Sequence, residues 1–567
     1  MLRSRMKWFL ALGTLVAASA CGDTPTDDGT GLELRLYSAV REGANFVPVL
    51  DDTNLGVGVL EVVSIQRADP LATTRTRTFD LASGSGSLNN LPIGEGYQIF
   101  VRGFPPAGGD DVVRLYGASP FFDVVEGQTT RIGVQIGQAN CVMLNHSAEE
   151  LSRDGGLEDM IVKRVGFSAT PLADGRVLIV GGAGVDANGQ ANKLHDSVEI
   201  YDPRVGQFFP ANENLHLSAV RAWHTATPLD DGRIVIFGGL SVVGGAPAPT
   251  GTIEIIDPND PVEPVKVLAV TTPPGLERWG HQATYLPFDG SVVFTGGLDP
   301  AGNVLASVLR LVPGADQDVV SGTLVAQGDM RAARAWHTSS RLHPRQDAPI
   351  IVAGGIGADG EALDVMEALT VNPGQAGCPT GQSPTTQVGC WVQPQGVVLT
   401  QARFGHRAVP LAGGRQILFV GGFTSADRSQ TATLLEMVDV DFKMSGGPGQ
   451  TNVGQIETGR GDLGAVVLGD GSVLLSGGAQ GKRPLRSTTR LVPCPPDQAC
   501  MQLFTERRLP DGCGMSQERY GHETVQLQNG TVMLLGGVGL AGQESLTTMG
   551  RAEIYFPAPA FLNEVYP

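Results

Sequence analysis

One short signature, an apolar run closed by two glycines, recurs along the whole second part of this chain. The pairs are Gly181-Gly182, Gly238-Gly239, Gly296-Gly297, Gly354-Gly355, Gly421-Gly422, Gly477-Gly478 and Gly536-Gly537. Successive spacings are 57, 58, 58, 67, 56 and 59 residues. Seven copies at a near-constant period mark a repeated supersecondary unit. Such a unit cannot bury its apolar faces alone and must stack on its neighbours.

Each copy has the same parts in the same order. An alternating stretch such as His224-Thr-Ala-Thr-Pro-Leu229 comes first. A two-residue turn follows: Asp174-Gly175, Asp231-Gly232, Asp289-Gly290, Gly413-Gly414, Asp470-Gly471 or Asn529-Gly530. These pairs tolerate the positive φ of a tight hairpin. The fourth copy has Arg345-Gln-Asp-Ala348 instead. Then comes a continuously apolar strand, such as Val177-Leu-Ile-Val180 or Ile234-Val-Ile-Phe237, which asks for burial on both faces. A third strand, as in SVEIYDP (197–203), TIEIIDP (252–258) or STTRLVP (487–493), is closed in several copies by Pro. A fourth, less regular strand leads onward. Four antiparallel strands repeated seven times predict an all-β chain, a seven-bladed β-propeller over 139–567. The last copy ends near Pro557, so its fourth strand is expected from the N-terminal side, with Cys141-Val-Met-Leu144 the candidate.

The Asp-Gly, Gly-Gly and Tyr-Asp-Pro elements in fixed order resemble the kelch repeat family over about 142–567. The period exceeds the roughly 50 residues usual for that repeat, which implies extended loops. The family's fourth-strand Trp is mostly missing, with Phe208-Phe209 and Trp391 as partial substitutes. The repeat also resembles the propeller of galactose-oxidase-like copper enzymes, which would imply a carbohydrate-active enzyme or oxidoreductase. No Tyr here directly precedes a His, and Tyr520-Gly-His522 is the nearest approach.

Upstream, 31–138 contains alternating runs such as LELRLYSA, VGVLEVVSIQ and YQIFVRGF separated by Gly, Asn and Asp. They predict a small β-sandwich. The stretch at 88–104 resembles the hairpin of prealbumin-like and carboxypeptidase-regulatory-like domains.

A His recurs three residues after an Arg: Arg221/His224, Arg278/His281, Arg334/His337, Arg403/His406 and Arg519/His522. Arg164 is followed by Phe167 and Arg460 by Leu463 at the same offset. A metal or base role would need these imidazoles to converge. Repetition in every unit, and replacement by apolar residues, favour an architectural role. Each His is expected to hold its own blade through nearby backbone, and each Arg to meet a carboxylate between blades. No catalytic residue and no metal site are assigned. The loops at 184–192 (GVDANGQAN) and 298–303 (LDPAGN) carry oxygen ligands that could hold Ca²⁺, though without the order of an EF-hand. No other cofactor is expected.

The N-terminus reads as a signal peptide over 1–20, with Arg3, Arg5 and Lys7 ahead of a short apolar run. Ala18-Ser-Ala-Cys21 resembles a bacterial lipobox, which implies lipidation of Cys21. Residues 21–30 then form a flexible tether. Gly22 after the Cys implies sorting to the outer membrane or cell surface. Cleavage without lipid would instead leave a secreted or periplasmic protein. The six other Cys are expected in disulfides. Position pairs Cys378 with Cys390 and Cys494 with Cys500, which leaves Cys141 and Cys513 among 15 connectivities.

The formal net charge is −18, which sets nucleic acid aside as a partner. The expected role is non-catalytic: a monomeric binding or scaffold protein of the bacterial envelope, membrane-held by its lipid. It would recognise an envelope protein or glycan through loops on one face of the propeller.

Overall fold

The computed structural model describes residues 57–66, 75–80, 93–105, 113–126, 128–145, 158–211, 215–260, 265–268, 275–314, 318–342, 349–369, 391–393, 397–439, 444–445, 453–495, 500–510, 512–541 and 545–557, with short strands at 15–16, 31–38, 40–41 and 47–48. The expected lipidation site Cys21, the tether, and the expected Cys378–Cys390 pair lie outside the described residues. The chain is all-β, built of many small antiparallel sheets.

Each Gly-Gly copy is one such sheet, its strands hydrogen-bonded in chain order. Sheet 1 comprises Ser168–Pro171, Val177–Val180, Val198–Asp202 and Gln207–Pro210. Sheet 2 comprises Thr225–Pro228, Ile234–Phe237, Ile253–Ile256 and Val265–Leu268. Sheets 3 to 6 follow the same plan, with first strands Gln282–Leu286, Thr338–Arg341, Arg407–Leu411 and Gly464–Val467. Sheet 7 takes Glu523–Gln526, Val532–Leu535 and Ala552–Phe556 from the C-terminal end. Its fourth strand is Cys141–Leu144, with Cys141 paired to Phe556 and Leu144 to Glu553.

The seven first strands touch in sequence, and Glu523–Gln526 of sheet 7 returns to Ser168–Pro171 of sheet 1. The double-sided burial of the second strands follows from this arrangement. Leu178 and Val180 pack toward sheet 2, in one core with Ile234 and Ile236. Their alternate neighbours Val177 and Ile179 pack the other way, in one core with Met533 and Leu535 of sheet 7. The same alternation sends Val235 and Phe237 toward Val292 and Phe294 of sheet 3.

The upstream region departs from the expected sandwich. Its described strands within 57–138, together with Gly31–Ser38, form one sheet, not two facing ones. Gly31–Ser38 lies parallel to Thr129–Gln138, and Val59–Gln66 lies beside Gly94–Phe104. The apolar face of this sheet shares a core with the repeats: Ile99, Val101, Val134 and Ile136 cluster with Phe556, Met533 and Tyr201. A second layer of its own is unnecessary, because sheets 1 and 7 supply the apolar surface it covers. Two turns seat it. Tyr116 Oη donates to Asn529 O at 3.3 Å, and Asn529 Nδ2 donates to Ala118 O at 3.0 Å.

Two cysteine pairs stand at disulfide distance. Cys141–Cys513 ties the N-terminal strand of sheet 7 to the segment before that sheet's first strand. Cys494–Cys500 closes a local loop after the third strand of sheet 6.

Candidate functional site

The recurring segment that runs from Arg to His, or to Phe167 or Leu463 in its place, precedes each first strand, at the sheet ends that carry Gly-Gly. Every one of the seven Arg residues is buried. Each donates from Nη1 to the carbonyl of the first glycine in its own copy: Arg164 to Gly181, Arg221 to Gly238, Arg278 to Gly296, Arg334 to Gly354, Arg403 to Gly421, Arg460 to Gly477 and Arg519 to Gly536. In five copies Nη2 also pairs with a buried Glu on the third strand: Arg164–Glu199, Arg221–Glu254, Arg334–Glu367, Arg403–Glu436 and Arg519–Glu553. The same carboxylates accept backbone N–H groups from the incoming segment, as Glu367 does from Arg331 and Ala332. The partners therefore lie within a repeat, not between repeats as expected. The Glu sits on the strand next to the one whose Gly carbonyl the Arg already holds.

The His residues link one copy to the previous one. Nε2 of His224 meets Ser168 Oγ at 3.0 Å, His281 meets Thr225 Oγ1 at 3.0 Å, and His406 meets Thr338 Oγ1 at 3.0 Å. His337 meets Thr295 Oγ1 at 2.8 Å and His522 meets Ser476 Oγ at 2.7 Å. The roles expected for Arg and His are thus the reverse of those found. The imidazole edge lies over the first glycine of the preceding copy. A Cβ on Gly238 would stand 2.8 Å from His281 Cε1 and 2.6 Å from the Arg278 carbonyl. Phe167 and Leu463 fill the same slot against Gly536 and Gly421. Burial and the neighbouring arginines hold these imidazoles neutral, with His224 lowered to about 3 and His281, His337, His406 and His522 well below the usual value. The five do not converge; each bonds a different sheet.

Among the described residues, no three His, Cys, Asp or Glu side chains gather as a metal site. In the two loops considered for Ca²⁺, Asp186 Oδ1 accepts the N–H groups of Asn188 and Gln190. Asp299 Oδ1 accepts those of Ala301 and Asn303. These carboxylates shape turns in the manner of Asx motifs.

The feature that sequence reasoning passed over is the pair of residues between Arg and His. The seven pairs are Val165-Gly166, Ala222-Trp223, Trp279-Gly280, Ala335-Trp336, Phe404-Gly405, Gly461-Asp462 and Tyr520-Gly521. In each pair one residue is Gly or Ala and the other is larger. Five of the seven larger side chains are aromatic. The second position has a left-handed backbone throughout, including Trp223 (φ 53°), Trp336 (φ 56°) and Asp462 (φ 49°). Non-Gly residues there cost about 1–2 kcal/mol each. Backbone bonds string these positions into two runs, one of two members and one of five. Trp223 N donates to Gly166 O, Trp336 N to Gly280 O, Gly405 N to Trp336 O, Asp462 N to Gly405 O and Gly521 N to Asp462 O.

The result is a rim of side chains at the ends of the first strands. Trp223, Trp279 and Trp336 are half-buried and adjacent, with ring centroids 5.8 and 5.4 Å apart and planes at 67° and 89°. One indole face of Trp223 lies on Gly166, where a Cβ would come within 2.7–2.9 Å of the ring atoms, and Trp336 covers Gly280 similarly. Farther round, Arg428 reaches from the loop after Gly421-Gly422. Its Nη1 lies 3.1 Å from Asp462 Oδ2, and its guanidinium is 5.0 Å from the Phe423 ring centre. Tyr520 packs both against the Phe404–Phe423 cluster and against the cluster touched by Trp223. Burial and the Asp462 charge raise its phenol above the ordinary value, while Arg428 acts the other way. His522, two residues on, turns instead toward Ser476, so Tyr520 and His522 do not form a dyad.

No family model and no curated protein matches the chain. A solved structure titled "Structure of YjhT" is similar over 62% of this chain and 99% of that one, at 13% identity and a TM-score of 0.41.

Proposed function

We propose that this chain is a seven-bladed, kelch-type β-propeller of the bacterial envelope, anchored by lipid at Cys21 to the outer membrane or cell surface. Its role is non-catalytic recognition of an envelope protein or glycan. The ring reading is supported by the returning contact of sheet 7 with sheet 1 and by the N-terminal strand that completes sheet 7. The two disulfide-distance pairs suit an oxidising compartment. One observation carries the recognition reading: the rim holds four partly exposed aromatic side chains, Trp223, Trp279, Trp336 and Tyr520, on strained or glycine-backed positions. Aromatic residues with a few polar neighbours are the usual composition of a binding site.

The test uses the mature protein on an array of envelope glycans and proteins. A companion variant has the hairpins that follow Gly181-Gly182 and Gly238-Gly239 trimmed to short turns. Specific binding that the trimming abolishes supports the proposal. Absence of any specific binding, conversion of a bound sugar, or copper at about one ion per chain would overturn it. Mass spectrometry of the mature N-terminus checks the anchor: an unmodified Cys21 thiol removes it.

A further inference from the structure

We propose that the aromatic rim is a binding site for a neutral pyranose of a glycan chain, with Trp223 and Trp336 as stacking platforms and the Arg428–Asp462 pair as its hydroxyl-binding edge. This rests on the recognition reading above and names its site and ligand chemistry.

The platforms are built into the backbone. Trp223 and Trp336 occupy a left-handed position that Gly holds in four other copies. Glycine serves at this position without strain, so the backbone itself does not call for an indole. Each indole also packs at its margin on a small apolar cluster, Trp223 on that of Val165 and Val538 and Trp336 on that of Phe404 and Phe423. Each has one face laid on the glycine of the preceding copy and is half-buried, which leaves its other face turned from that backbone. Trp279 stands between them nearly perpendicular to each, so neither face is taken up by parallel stacking. A flat apolar platform of this size matches the C–H face of a sugar ring, whose edges are hydroxyls.

The polar side of the rim suits the same ligand. Asp462 is the one charged residue among the seven rim positions, and it too adopts positive φ. Arg428, itself at φ 62°, neutralises it. Two oppositely charged groups side by side accept from and donate to adjacent hydroxyls, and charge-assisted hydrogen bonds of this kind are the stronger ones. The balanced pair gives an anionic sugar no unpaired cation. The guanidinium over Phe423 already occupies the cation-binding face of that ring, which disfavours an ammonium ligand there.

The experiment measures tryptophan fluorescence and calorimetric binding of the full chain. The probes are neutral hexasaccharides of β-1,4-glucose, α-1,4-glucose and β-1,4-N-acetylglucosamine, with choline chloride as the cationic probe. Trp223→Gly and Trp336→Gly are chosen because glycine is native at the equivalent position of other copies. Thermal midpoints within a few degrees of the parent verify their folding. Expected are a fluorescence change with at least one hexasaccharide and affinity lowered about tenfold by either variant. Asp462→Asn should also weaken binding, while Phe209→Ala on an outer strand should leave it unchanged. Hexasaccharide binding insensitive to both Trp variants overturns the site but leaves glycan recognition standing. No response to any hexasaccharide, or a response to choline alone, overturns the ligand class. Array binding to proteins only would do the same while sparing the recognition reading.

Discussion

Gly537 donates its backbone N–H to the carbonyl of Arg164 at 3.0 Å, joining the last copy to the first. The same bond joins every other consecutive pair: Gly182 to Arg221, Gly239 to Arg278, Gly297 to Arg334, Gly355 to Arg403, Gly422 to Arg460 and Gly478 to Arg519. The second glycine therefore serves the contact between copies, while the first receives the arginine of its own.

This junction predicts where a disulfide matters most. Cys141 and Cys513 are 372 residues apart in sequence, whereas Cys494 and Cys500 are 6 apart. On the loop-entropy argument the long-range link contributes about 6 kcal/mol and the short one about 2 kcal/mol. Thermal unfolding of Cys141→Ala/Cys513→Ala should show a much larger drop in midpoint than Cys494→Ala/Cys500→Ala. Equal drops would refute the closure role.

Two glycines in sheet 2 separate backbone strain from steric collision. Gly232 and Gly238 both have positive φ, 87° and 62°. A Cβ at Gly232 meets nothing within 4 Å, while one at Gly238 meets the Arg278 carbonyl at 2.6 Å. Gly232→Ala should cost about 1 kcal/mol, from conformation alone. Gly238→Ala should cost about 3 kcal/mol or more, because backbone must shift. Urea denaturation of the two variants checks the order.

The buried imidazoles predict acid lability. A His whose folded pKa lies below its unfolded value adds nothing above about pH 6.5, where both states are neutral. As the pH falls below that, the unfolded chain takes up protons that the folded chain refuses, and stability declines. For His224 the loss continues down to about 3, where its folded form also titrates. The slope approaches ~1.4 kcal/mol per pH unit for each such group. His224→Leu, which copies the Leu463 solution, should flatten the stability profile between pH 6 and about 4, as measured by denaturation at fixed pH.

The Arg–Glu pairs make a different prediction. Arg221 and Glu254 are fully buried together, and Glu254 also accepts the Ser218 N–H. Glu254→Gln leaves a buried guanidinium without its counter-charge and should destabilise by about 3 kcal/mol. In sheets 3 and 6 the equivalent residues are Leu309 and Thr489. There the arginines keep the glycine carbonyl and a serine just before the third strand, Ser307 or Ser487. Calorimetry of Glu254→Gln beside Leu309→Ala separates loss of a charge partner from loss of packing.

Much of the architecture is written locally. The period, the Asp-Gly turns and the unbroken apolar second strands are properties of short segments, and each maps onto a strand or turn of one sheet. The rim was also legible in principle. The residues between each Arg and His alternate large and small, a pattern that shows only when the seven copies are aligned on those two positions. The lone Asp462 among aromatics marks the polar side of that rim. Its partner Arg428 could not be foreseen, because it comes from a loop whose path no local pattern encodes.

The sequence by itself determined that the chain builds repeated small sheets with both faces covered, since strand periodicity and positive-φ glycines act over a few residues. Only the tertiary structure decided which sheet each His bonds, that each Arg finds its Glu at home, and that the upstream strands lay one sheet on a core shared with sheets 1 and 7. Those are contacts between segments far apart in the chain. They are selected by which buried polar atoms and apolar faces remain unmatched once the local elements exist.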